Sequence, residues 1–308
     1  MKASTHTEVY RPFRGELTTR RMRFVPLLSS NLKTATKKRL PLVLLFAPLA
    51  IGTVIFSFTV YAGFAIQAGD PPSALGGGAS IASIIGQALV SQRTQQLIQA
   101  REMIVNFHLA TNMFSLLLMA WYGAGVLAED RRLGAHLLYF ARPLSRFDYL
   151  LAKFLVIATF GVLGAVVPGL VICTVATFAS PEWSFLREEY DVIFSTIGFG
   201  LLWTVLVSSI VLCVSSLASR RSFALVGVFA VFMLTSATAS IMAAMQRDSD
   251  FRALSPMLSA VRLATSIFEL KARHASWNLT LAWSSVGAYI LISWTLVWLR
   301  TRRMDVVQ

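Results

Sequence analysis

The chain has 308 residues, 56% of them from the apolar set AVILMFWYC and only 14% charged, with a mean hydropathy of +0.64. A soluble domain carries about 25% charged residues, so this balance excludes an ordinary soluble globule and points to a membrane protein. With ten prolines, 18 glycines and two cysteines, disordered, collagen-like and disulfide-rich classes are excluded too. The formal charge of +13 would suggest nucleic-acid binding in a soluble protein, but no basic patch interleaved with aromatics accompanies it.

The chain opens with a basic arm, residues 1–39, which carries ten Lys or Arg and only Glu8 and Glu16 as acids. It is too long and too basic for the n-region of a cleaved signal peptide, so the first apolar segment is expected to stay as an anchor; an organellar transit peptide shares this composition. Phe24, Leu27, Leu28, Asn31 and Leu32 recur at helical spacing among Arg20, Arg21, Arg23 and Lys33, which predicts an amphipathic helix in the membrane interface.

Six intervals free of Asp, Glu, Lys and Arg follow, each at least 25 residues long. About 20 apolar residues suffice to cross a hydrocarbon core about 30 Å thick, so all six can span. The expected spans are 41–66, 103–127, 150–178, 192–218, 222–245 and 277–299, in a transmembrane domain over 40–299 with a tail at 300–308. An even number of spans puts both termini on one side. The loops on that side hold 20 basic residues and the other loops eight, so the positive-inside rule makes the termini cytoplasmic. The expected fold is therefore an all-α integral membrane protein, multi-pass, in a cell inner (plasma) membrane.

Between spans one and two, Asp70-Pro71-Pro72 and Gly76-Gly77-Gly78 break the helix, and an apolar stripe from Ile81 to Leu89 with Gln92, Gln95, Gln96 and Gln99 reads as an outer helix or as an extension of span two. Between spans two and three, acids at Glu129 and Asp130 precede Leu133, Leu137 and Phe140 at i, i+4 and i+7, which predicts a short amphipathic helix on the inner surface. Pro143 disfavours helix at Arg142, and Ser145 with Asp148 forms an S-x-x-D capping box that starts the next helix. Spans four and five are joined by Ser219-Arg220-Arg221-Ser222 and form a tight pair. Ser255-Pro256 predicts an N-cap and first-turn proline of another outer helix, with Met257, Val261, Ala264 and Phe268 on one face.

The segment between spans two and three resembles the inner loop of ABC-2 type transporter permeases. The resemblance rests on Glu129, Gly134, Leu137, Leu138, Arg142, Pro143, Leu144, Ser145, Arg146, Tyr149, Leu150, Leu151 and Lys153, and the six-span layout with its basic arm and outer helix is similar over nearly the whole chain. In such a permease this loop is a coupling helix docking on a cytoplasmic ABC ATP-binding subunit, and two six-span subunits pair as a homodimer or heterodimer in membrane lipid. The resemblance assigns Glu129, Asp130, Arg131, Arg132, Gly134, Leu137, Arg142, Pro143, Ser145 and Arg146 to that contact, the charged ones among them complementing the partner surface.

The sequence has no G-x-x-x-x-G-K-[ST] phosphate loop, and no Gly is followed by Lys. The chain is accordingly expected to be no enzyme and to bind no cofactor, with ATP and Mg on the partner ATPase. No H-E-x-x-H, paired intramembrane carboxylate or G-x-S-x-G occurs, so neither metal nor catalytic ligands are assigned. Asn106, His108 and Asn112 are the conspicuous polar groups of span two and fit either a translocation path or hydrogen bonding between helices. A polytopic scaffold that anchors a cytoplasmic partner, or a secondary carrier, is the alternative function; a carrier would ordinarily hold an ionisable carboxylate inside a span, and these spans have none.

Overall fold

The computed structural model describes residues 24–37, 39–67, 100–134, 145–270 and 277–302. Over these residues the protein is helical, and six helices or helix pairs are long and apolar enough to cross a membrane: Pro41–Phe64, Arg101–Arg132, Arg146–Ala179, Tyr190–Leu217, Arg221–Gln246 and Leu279–Arg302. In chain order the elements are α1 (Phe24–Thr36), α2 (Arg39–Gln67), α3 (Ala100–Gly123), α4 (Gly125–Arg132), α5 (Arg146–Gly161), α6 (Val167–Ala179), α7 (Ser184–Glu188), α8 (Tyr190–Leu217), α9 (Arg221–Gln246), α10 (Pro256–Ile267) and α11 (Leu279–Arg302). The end that carries α1, α4, the start of α5 and the α8–α9 turn is called here the N-terminal face, and the opposite end the distal face.

The helix α1 is amphipathic as its spacing dictates: Phe24, Leu27, Leu28, Asn31, Leu32 and Ala35 are half-buried while the residues between them are exposed. This stripe lies against α5. Prolines fall inside spans one and three. Pro48 sits inside α2 and Pro168 in the first turn of α6, and a proline removes one helix hydrogen bond and crowds the carbonyl four residues back. In the third span that conflict is relieved by a π-turn over Val162–Val166, which resets the helix before Pro168.

The bundle is built around α8, which packs on α3, α5, α9, α10 and α11. Trp203, Leu206, Val207, Ile210 and Val211 of α8 form the main core with Leu116 and Met119 of α3, Ile157 of α5 and Phe232 of α9. Small residues permit this closeness. A Cβ added at Gly161 would come within 2.7 Å of Thr204, and one at Gly123 within 2.5 Å of Val211. By contrast α2 and α9 carry apolar side chains pointing away from the bundle, including Val43, Leu44 and Val54, and Phe223, Val226 and Leu234.

Two local expectations hold at the level of single hydrogen bonds. Ser145 caps α5, its Oγ accepting from the Asp148 amide at 3.1 Å, and Ser255 caps α10 by accepting from the Leu258 amide at 3.2 Å, with Pro256 next in line. Two differ. Of the expected α10 stripe, Ala264 and Phe268 are buried but Met257 and Val261 only half-buried, because Ser259, Ala260 and Leu263 share the buried face. The acids Glu129 and Asp130 do not open an inner helix; they stand in the last turn of α4, which continues span two past Ala124, itself at right-handed helical angles. Gly134, at φ +66°, takes the left-handed conformation that ends this helix. The rest of the expected inner helix, with Leu137, Phe140, Arg142 and Pro143, lies outside the described residues, as does the stripe from Ile81 to Gln99.

Candidate functional site

At the N-terminal face six helices, α1, α3, α4, α5, α8 and α9, are joined by polar contacts. Lys153, about two turns into α5, has 2% of its side chain exposed, and its ammonium lies 2.7 Å from the Asp130 carboxylate of α4. The Tyr149 hydroxyl donates to the same carboxylate at 2.8 Å, and Lys153 donates to the Asn31 side-chain carbonyl of α1 at 3.2 Å. A buried charge is tolerated only when paired and hydrogen-bonded, and here one cation ties α1, α4 and α5 into a unit.

Ser215 of α8 performs a second closure. Its hydroxyl accepts from the Leu127 and Ala128 amides at 3.0 and 3.3 Å and donates to the Ala124 carbonyl at 2.8 Å. Ala124, between α3 and α4, has no polar side chain to cap α4, and the Ser215 hydroxyl of α8 serves that helix's amides from outside. Arg131 donates to the Ala218 carbonyl at the end of α8. Arg221 donates to the Trp121 carbonyl at 2.8 Å, its guanidinium 4.9 Å from that indole ring.

The residues assigned to partner contact are thereby divided. Asp130 and Arg131 are partly buried and face other helices of this chain, whereas Glu129, Arg132 and Ser145 are exposed; Arg146 and Gly134 are intermediate, and Leu137, Arg142 and Pro143 lie outside the described residues. A cleft of about 360 Å³ opens beside the unit, lined by Asn31, Trp121, Glu129, Lys153 and Arg221 among others. Residue spacing marks Asn31 only as a member of the α1 stripe and Lys153 only as part of the loop resemblance, and gives no sign of Ser215. Asn31 was detectable as the one polar member of an apolar stripe, and Lys153 as a cation placed inside the apolar run of span three.

The polar groups of span two divide as well. His108 and Asn112 are 0% and 2% exposed, while Asn106 projects to the bundle surface. His108 is ringed by Phe107, Phe199 and Phe268 at centroid distances of 5.6, 5.4 and 5.9 Å, and a Cβ at Gly169 would stand 2.9 Å from its imidazole. Among the described residues neither His108 nitrogen nor the Asn112 amide nitrogen has a hydrogen-bond partner. Cys173 and Cys213 are buried and free, and no three His, Cys, Asp or Glu side chains of the described residues come together as a metal set.

No curated protein matches the chain. A family model described as ABC-2 family transporter protein matches residues 98–282, which is more than half of the chain and contains the α4–α5 segment, the π-turn and the whole of α8. Membership of that family implies association with an ABC ATP-binding subunit. With six membrane-spanning helices packed about α8 and this match across the central spans, the chain belongs to the ABC-2 transporter family, as a multi-pass membrane permease.

Proposed function

We propose that this permease is moved by ATP hydrolysis on a separate cytoplasmic subunit, and that the segment from Glu129 to Arg146 is where that subunit docks. The observation that carries the reading is the Lys153–Asp130 pair with its Tyr149 and Asn31 partners. A force applied at the exposed Glu129, Arg132 or Ser145 reaches spans two and three together, because α4 and α5 are joined by a buried charge pair rather than by backbone alone. Ser215 and Arg131 pass the same displacement to α8, the helix that touches most of the bundle. ATP and its magnesium bind on the partner, since this chain has no phosphate loop.

A second permease copy completes the path. Its support is the pair of helices α2 and α9, in each of which only 17% of the most apolar stretch is buried within one chain. The excess of basic residues at the N-terminal face supports a cytoplasmic orientation of that face, in an inner (plasma) membrane. The test is to purify the chain with its cognate ATP-binding subunit in lipid and follow ATPase turnover with the double substitution Glu129→Ala and Arg142→Ala. A stable complex whose turnover loses its dependence on the permease in the double variant is the expected result. Unchanged coupling would remove these residues from the role.

A further inference from the structure

The five basic residues between spans five and six stand against the charge pattern of the chain: they are most of the eight found in the loops on the distal side. Three of them meet. Arg247 at the end of α9, Arg252 in the 3-10 turn Ser249–Leu254 and Arg262 on α10 line one cleft of about 560 Å³ at the distal face, with Trp277 forming its wall. No acidic side chain lines it among the described residues. The nearest acids in sequence, Asp248 and Asp250, accept from the Asp250 and Asn278 amides at 2.9 and 3.0 Å and do not line the cleft.

The three guanidiniums are not equivalent. Arg262 is half-buried and held in place, donating to the Trp277 carbonyl at 3.1 Å and to the Thr265 hydroxyl at 3.3 Å. Arg247 and Arg252 are exposed, with no hydrogen bond or ion pair among the described residues. Arg247 is moreover held at φ 51°, a left-handed conformation unfavourable for a non-glycine residue. Like charges gathered without a counter-ion repel, and the arrangement is stabilised once an anion enters. The floor beside them is apolar, with Ala243 and Ala244 on the same face of α9 as Arg247, and Leu258 and Val261 of α10.

We propose that this cleft binds the phosphate of an anionic amphiphile, its headgroup held by Arg247, Arg252 and Arg262 and the start of its chain lying on the floor of Ala243, Ala244, Leu258 and Val261. Planar guanidiniums suit phosphate oxygens, which accept two parallel N–H bonds from one arginine. The apolar floor selects a lipid over a free phosphate. The proposal is independent of the ATPase partner and is tested without nucleotide.

The experiment uses the full chain in a neutral detergent. Binding of phosphatidylglycerol, of zwitterionic phosphatidylcholine and of inorganic phosphate is measured by native mass spectrometry and by thermal shift. The variants are Arg252→Gln, Arg247→Gln and, as a control on the same face, Arg187→Gln. Phosphatidylglycerol is expected to bind in preference to phosphatidylcholine, roughly tenfold more weakly in each cleft variant and unchanged in the control, the fold-change that follows from losing one charge-assisted hydrogen bond. Inorganic phosphate binding as tightly as the lipid, with the same sensitivity to the variants, would sustain the phosphate site and overturn the lipid as its source. Equal retention of both lipids, or binding indifferent to the arginines in variants that melt like the parent chain, would overturn the site itself.

Discussion

The two faces of the bundle solve the same problem, holding helix ends together, with different chemistry. At the N-terminal face the ion pair is buried: Lys153 is 2% exposed and Asp130 17%. Its distal counterpart is Arg101 with Asp191, at the same 2.7 Å but with side chains 17% and 40% exposed, and with Glu269 a further 3.9 Å contact. Backbone geometry follows the same division. All four non-glycine residues at positive φ among the described residues, Glu182, Trp183, Arg247 and Glu269, lie in distal connections, while the N-terminal face uses Gly134 for its one such position. Strained short connectors and solvent-accessible charges make the distal face the more yielding end. The N-terminal face is a cross-linked block, which is the property an input surface needs if displacement there is to move several spans together.

That contrast has measurable consequences. The largest is expected at Lys153. Its replacement by Ala leaves the Asp130 carboxylate in a largely water-excluded site, at a cost on the order of 3 kcal/mol, read as lost thermal stability in detergent. The double variant Lys153→Met with Asp130→Asn is expected to recover most of that loss, because neither charge then remains; no recovery would mean that the pair is not the source of the stability.

Arg101→Gln should cost less, about 1 kcal/mol, since a half-exposed pair is weakened by solvent and salt. Its effect should shrink further as ionic strength rises, whereas the Lys153 effect should not. Equal costs at the two ends would erase the proposed difference between the faces.

The smallest effect is expected at Glu189, beside the same distal pair. Burial raises the pKa of its carboxyl above the ordinary 4.5, an effect that Arg101 opposes and that Asp191 and Glu188 reinforce. A raised carboxyl pKa in the folded protein means that the folded state favours the protonated form. Stability from this group is therefore present below pH 4.5 and is lost as pH rises through the raised value. Glu189→Gln should flatten this part of the stability–pH profile while leaving the region above it intact. A profile unchanged from the parent would show that the carboxyl is not buried in the folded protein.

Much of this organisation could be read from residue spacing. The stripe of α1, the caps at Ser145 and Ser255 and the six apolar runs are local signals, and each is set by helix periodicity or by a side chain bonding its own backbone. What escaped depends on partners distant in sequence. The spans Pro41–Phe64 and Tyr190–Leu217 have the same mean hydropathy of 2.3, yet 17% of the first apolar stretch is buried and 67% of the second. Lipid and protein interior are equally apolar, so hydropathy cannot separate them; the glycines, serines and threonines of the central helices can. The acids at 129 and 130 suggested a helix start because they precede Leu133, but Gly134 at positive φ makes them an end. The cap supplied by Ser215 connects residues 87 to 91 positions apart, beyond the reach of any local pattern. His108 and Asn112 share a face one turn apart, as their spacing requires, but only packing against Phe199 and Phe268 decides that they are enclosed while Asn106 is not.

The central claim is that a displacement applied at the N-terminal face arrives at the distal face. The direct measurement is the distance between spin labels at Arg187→Cys in two paired permease copies, assembled with the ATP-binding subunit in lipid nanodiscs, with and without ATP under non-hydrolysing conditions. The native Cys173 and Cys213 are buried and are replaced by Ser to leave a single label site. A nucleotide-dependent shift in the distance distribution, abolished by Glu129→Ala with Arg142→Ala, is the expected result. An unchanged distribution in a complex that still turns over ATP would contradict the account.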